Sequence, residues 1–183
     1  MSPMNATAAE IVSFWRDAGP ERWFEQDEEF DRTIRSRFLA VHEAAARGEL
    51  AGWENSAEGA LALVIVLDQF SRNMFRDSAR AFAADASARA VADRALARGF
   101  DQATDATMRP FFYLPFMHSE LLADQDRCLG LHAVLGDPEL SRYAALHRDI
   151  IARFGRFPHR NAVLGRDTTT AEQEFLDSGG FTG

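Results

Sequence analysis

Apolar residues recur at helical spacing along almost the whole chain, and a glycine or proline closes each run. Ile11, Phe14, Trp15 and Ala18 form the first stripe. Thr7 and Glu10 ahead of it fit a capping box, in which each side chain bonds the other residue's backbone N–H. Gly19-Pro20 ends the element. Phe30, Ile34, Phe38 and Val41 mark the inner face of a second helix, predicted from about Asp27 to Ala46 with Gly48 as its C-cap. Ser56 is the expected N-cap of a third helix running to about Phe70. Its stretch from Ala60 to Leu67 is apolar on every side, which suits a strand or a helix buried all round. Strand signals are absent elsewhere, so the helix is preferred.

Asp85 is expected to cap a fourth helix that ends at Gly99. Thr107 to Leu135 reads as helix interrupted near Pro115, because an interior proline removes a backbone donor and clashes with the preceding turn. Ser119 can cap its second half, and Gly136 ends it. Asp137-Pro138 then supplies a cap followed by proline at the first helical position. Tyr143, Leu146, Ile150, Ile151 and Phe154 carry that helix to Gly155. Thr169 and Glu172 form a second capping box before a short last helix, and the tail after Asp177 is expected to fray. The pattern predicts an all-α fold of about 8 helices in a single domain spanning residues 1–183. Ala-Ala-Arg-Gly-Glu-Leu at 45–50 faintly echoes Leu-Ala-Arg-Gly-Phe-Asp at 96–101, which hints at stacked helical hairpins.

Composition narrows the function classes. The 183 residues carry a net charge of −8, with a pI near 5.1. An acidic chain is a poor non-specific ligand for nucleic acid or an acidic membrane, so neither partner is expected. All 20 basic residues are arginines. Lysine Schiff bases, lysine nucleophiles and P-loop lysines are thereby excluded, and any bound anion would meet planar guanidinium forks. The single cysteine, Cys128, forbids an internal disulfide and a cysteine-rich zinc site. With Leu129 and Leu131 as neighbours, it reads as a small buried apolar residue. The N-terminus shows no basic or apolar leader, and no apolar run approaches the ~18 residues of a spanning helix. A cytoplasmic protein is the expectation. Fifteen phenylalanines and three tryptophans read as core. His42, His132 and His147 read as surface or helix-face residues.

Three polar clusters interrupt this apolar frame. The first, Leu67 to Arg76, sits at the exit of the most hydrophobic helix. Asp68 and Arg72 lie four apart and can pair, while Gln69 and Asn73 share a neighbouring face. The second holds His118, Ser119, Glu120, Asp124, Gln125 and Arg127. Glu120 and Asp124 read as one helical face, where two carboxylates would repel without a cation or an arginine between them. No metal-binding spacing such as His-Glu-x-x-His occurs, so no metal and no cofactor are assigned. The third is the loop 153–166, Arg-Phe-Gly-Arg-Phe-Pro-His-Arg-Asn-Ala-Val-Leu-Gly-Arg. Its glycines and proline exclude a continuous helix. Arg156, His159, Arg160 and Asn161 make it either an anion-binding rim or a clasp whose arginines pair with Asp68, Glu120 and Asp124.

These segments carry a family resemblance. Leu67-Asp68-Gln69-Phe70-Ser71-Arg72-Asn73, Phe75-Arg76, Leu114-Pro115-Phe116-Met117-His118-Ser119-Glu120, Asp124-Gln125 and Phe154-Gly155-Arg156-Phe157-Pro158-His159-Arg160-Asn161 resemble the signature of domain-of-unknown-function family 924. The early Phe14-Trp15, Trp23-Phe24 and Phe30-Asp31, and the late Leu164-Gly165-Arg166, fit as well. The resemblance implies a tetratricopeptide-like fold, a right-handed array of stacked helical hairpins, and no particular activity. Ser71 departs from a proline common in the family, and Leu121 from an acidic residue. The second departure removes one oxygen ligand from any metal reading.

Three functions remain open on the sequence. In the first, the clusters converge on a small-molecule site. Asp68, Arg72, Asn73, Arg156, Arg160 and Asn161 would hold an anionic metabolite, and His118 or His159 would move a proton, oriented by Glu120 or Asp124. In the second, a helical groove binds an acidic peptide. In the third, the clusters are a buried polar network that serves stability alone. The oligomeric state is not readable from the chain.

Overall fold

The computed structural model describes residues 6–181. Met1 to Asn5, part of the segment read as lacking a leader, lie outside them. Among the described residues the chain is helical and holds no strand. None of its helices is long and apolar enough to cross a membrane. Two compact units divide the chain: unit 1 takes residues 1–76 and 80–115, and unit 2 takes residues 77–79 and 116–183.

Unit 1 opens with α1 (Ala8–Ala18) and the single turn α2 (Pro20–Trp23). The Thr7–Glu10 capping box forms as the spacing predicts. In α3 (Glu28–Ala46) the Asp27 carboxylate accepts the first free N–H groups, from Glu29 and Phe30. Gly48, with φ +77, then turns the chain away. Ser56 caps α4 (Ala57–Val64), and the same rod runs on through Ile65–Phe70 into α5 (Ser71–Met74). Residues 59–71 are all buried, as an apolar run with no polar face demands. Ile65–Phe70 is wound wider than an α-helix, as a π-turn, a feature that often marks functional sites.

Aromatic rings wrap this rod. Phe38 stacks on Phe70 at 5.1 Å, and Trp15 meets Phe70 edge-on at 5.6 Å. Each such pair adds about 0.5–1.5 kcal/mol beyond simple burial. Trp53 is only half-buried and Phe24 is 65% exposed, so not every large ring is core. α6 (Asp85–Ala97) packs on α4 and buries Ala88, Ala92 and Ala95. Its N-cap is Ala84 rather than Asp85, because the Asp85 carboxylate is drawn into an ion pair instead of onto helix N–H groups.

The one-turn helix α7 (Leu114–Met117) straddles the boundary. In unit 2, α8 (Leu122–Leu135) and α9 (Pro138–Phe154) form an antiparallel hairpin. Its turn is made by Gly136 at φ +71 and by Asp137, which caps α9 with Pro138 first. The core of the unit includes Cys128, His132, Ala144, Ile150, Ile151 and Phe157. His42, His132 and His147 are all buried, contrary to the surface reading. His42 lies one turn after Phe38, beside the inner stripe of α3, and that spacing was its signal. α10 (Thr170–Asp177) starts at the second capping box. After Asp177, the Phe181 ring lies 4.6 Å from His147 and 5.4 Å from His159.

Candidate functional site

Within unit 1 the first cluster closes around Arg72. Asp68 is fully buried. Its carboxylate accepts from Gln69 Nε2 at 2.6 Å and from Arg72 Nη1 at 3.3 Å. Arg72 also donates to the Asp68 carbonyl at 3.0 Å and forks onto Asp85 at 2.9 and 3.1 Å. Burial works against the Arg72 charge, but the Asp68 and Asp85 carboxylates outweigh it and raise its pKa. Asp85 is the partner that sequence spacing missed, thirteen residues from Arg72. Asn73 donates to Asp31 on α3 at 2.7 Å, and Arg76 pairs with the same carboxylate.

His42 and Ser71 approach to 2.7 Å at the π-turn, a distance that suggests a nucleophile and its base. The protons say otherwise. Ser71 Oγ lies 2.6 Å from the Leu67 carbonyl, which has no proton of its own, so the hydroxyl proton points there. His42 Nε2 is then the donor to Ser71, and the buried Nδ1 has no hydrogen-bond partner among the described residues. Burial lowers the His42 pKa, which keeps the ring neutral. The pair pins α3 to the π-turn and does not activate the serine.

Within unit 2 the second and third clusters meet. Glu120 is not on a helical face with Asp124, because α8 begins only at Leu122. It sits in the preceding turn. Its carboxylate takes both Nη atoms of Arg166, at 2.7 and 3.0 Å, and the Phe157 N–H at 2.8 Å. Burial alone would raise the Glu120 carboxyl. The Arg166 bonds, the Phe157 N–H and the charge of Arg160 together hold it below the usual range. Ser119, expected as the helix cap, stands two residues before the N-cap position, which Leu121 takes. It accepts from the Leu121 N–H at 3.2 Å and donates to Asp124 at 2.6 Å. Gln125 closes the end of α7, donating to the Met117 and Ser119 carbonyls, each at 2.6 Å.

The loop's arginines separate by role. Arg156 forks onto Glu172 at 2.6 and 2.8 Å, a carboxylate that also accepts from Asn161 and the Thr169 N–H. These bonds pull the Glu172 pKa down to about 2, with Arg156 the largest cause. Glu172 is thus both the capping-box partner and the anchor of the loop. Arg166 adds Asn161 Oδ1 at 3.0 Å and the Phe157 carbonyl at 3.1 Å to its Glu120 bonds. Arg160 is buried, and its Nη2 donates to the His118 carbonyl at 3.0 Å. The Phe157 ring gathers the rest: Arg160 at 4.6 Å, His147 at 5.7 Å and His159 at 5.7 Å from its centroid. His118 lies 6.5 Å from His147, and both His118 and His159 are half-buried. Among the described residues no group of three His, Cys, Asp or Glu side chains is placed to hold a metal ion.

The model of a family described as bacterial protein of unknown function (DUF924) matches residues 11–180. A solved structure of a protein of unknown function from Agrobacterium tumefaciens is similar at 50% identity, with a TM-score of 0.92. The match covers 94% of this chain and 97% of that one. No curated protein matches the chain.

Proposed function

The chain belongs to the DUF924 family, and on the geometry of unit 2 we propose that it binds a small anionic metabolite at the face formed by His118, His159 and Arg160. The observation that carries this is the ring of Phe157. It holds a buried guanidinium and two imidazoles around one apolar support, and the guanidinium reaches the backbone of His118, whose side chain is half-exposed. A guanidinium fixes a carboxylate or phosphate, and imidazole is the side chain that most readily exchanges a proton near neutral pH. A hydrolase- or lyase-type proton transfer fits these parts. Glu120, held ionised, would orient rather than donate a proton. Arg156 and Arg166 serve the scaffold, since Glu172 and Glu120 occupy them.

A panel of small carboxylates and phosphates should raise the melting temperature of the native chain by several degrees for at least one compound, about 1–3 kcal/mol of binding linkage. His118→Gln and Arg160→Gln, checked for native helicity, should lose that response. If no anion stabilises the native chain, or both helical variants keep the full response, the site is absent.

The saturation of Glu120 and Glu172 favours a second reading, in which the polar cluster of unit 2 is a clasp that serves stability alone. The tetratricopeptide-like stacking of hairpins, a peptide groove and a cytoplasmic location also remain proposals. The α8–α9 hairpin is what supports the stacking.

A further inference from the structure

We propose that the outer face of α3 pairs with the same face of a second copy of the chain, antiparallel and about a two-fold axis. Arg32, Ser36, Leu39 and Glu43 follow one another by four, three and four residues and so share one face. An open groove of about 620 Å³ runs over it, lined wholly by α3 residues. Its charges are ordered: Glu28, Arg32, Glu43 and Arg47 alternate in sign. Glu28 and Arg47, Arg32 and Glu43, and Ser36 and Leu39 are each equidistant from the midpoint between Arg37 and Phe38. A two-fold axis at that midpoint sets Arg32 against the partner copy's Glu43 and Glu28 against its Arg47. It also sets Leu39 beside the small Ser36, which lets the helices approach closely.

The side chains are available for this. Arg32 and Glu28 are 72% and 96% exposed, and their own contact is a loose 3.8 Å. Glu43 meets Arg80 at the same 3.8 Å. Arg47, 58% exposed, holds Glu49 and can share its fork. Arg35 and Arg37 also line the groove but are engaged within the chain: Arg35 donates to the Met74 carbonyl and lies 5.7 Å over the Phe75 ring, and Arg37 lies 4.8 Å over the Phe14 ring. An acidic peptide fits less well, because Glu43 lines the groove and Glu28 stands beside Arg32 one turn away. The alternating pattern, read backwards, complements itself. The two helix dipoles also run antiparallel in this arrangement.

Exposed ion pairs add little affinity but penalise like charges, so the pairing is specific and modest in strength. Sedimentation velocity of the native chain from about 1 to about 300 µM should show monomer giving way to dimer. Arg32→Glu or Glu43→Arg alone should move the midpoint at least about tenfold higher. The double variant should return close to the native midpoint, and an equimolar mixture of the two single variants should dimerise where neither does alone. A native chain that stays monomeric over the whole range overturns the proposal. So does a dimer whose midpoint ignores both reversals.

Discussion

His132 is fully buried on α8, and desolvation pushes its pKa from 6.5 down to about 4, against a weak opposite pull from Asp137. An unfolded chain takes up a proton on this imidazole as the pH falls through 6.5, while the folded chain resists until about 4. Its contribution to stability is therefore complete above pH 6.5 and drains away down to pH 4. His42 shifts in the same direction. Glu172 acts in a lower window: its folded pKa of about 2 against 4.5 means that its contribution is whole above pH 4.5 and lost towards pH 2. Acid destabilisation should thus come in two stages. Melting temperatures measured from pH 8 to pH 3 should show the first stage shallower in His132→Leu, with the part owed to His42 remaining. An unchanged slope between pH 6.5 and pH 4 would show that His132 does not stay neutral in the fold.

At the level of elements, the loop between α9 and α10 is held by paired carboxylates at both ends. Arg166 and Glu120 are 46 residues apart in sequence and meet in a bidentate fork, each about a quarter exposed. Removing either leaves the other without its partner and frees the Phe157 backbone groups, so Glu120→Gln and Arg166→Met should each destabilise by about 1–3 kcal/mol. Their double variant should cost clearly less than the sum, with a coupling of about 1–2 kcal/mol in urea denaturation. Strict additivity would mean that the fork contributes nothing. The same separation explains what the sequence could show. Both capping boxes and the Ser56 and Asp137 caps were legible because each acts within four residues. The Asp68–Arg72 pair was legible for the same reason. Asp85 and Glu172, which hold Arg72 and Arg156, were not, since they come from other elements; Glu120 was expected to meet an arginine of the loop, and it is Arg166 that it takes. The π-turn left no mark either, because apolar periodicity does not distinguish a wide turn from an α-helix inside a run that is apolar all round.

Over the whole chain, the two units carry separate reporters. Trp15, Trp23 and Trp53 are all the tryptophans and all belong to unit 1. Cys128 is the single thiol and belongs to unit 2, fully buried, with its pKa pushed up to about 12 by that burial. Such a thiol is protonated and shielded at about pH 8, so it reacts with a disulfide reagent only when its surroundings open. The cores differ in kind. Unit 1 buries a rod apolar on every face under interlocked rings, whereas unit 2 buries few large apolar residues and leans on Glu120, Glu172 and their arginines. Urea weakens apolar burial in both, but salt screens only charges. In a urea series at about pH 8, Cys128 labelling should therefore begin below the midpoint of the tryptophan transition, and about 0.5 M salt should widen the gap. Labelling that tracks tryptophan fluorescence at both salt concentrations would instead make the two units one cooperative body, with the ion pairs of unit 2 contributing no separate weakness.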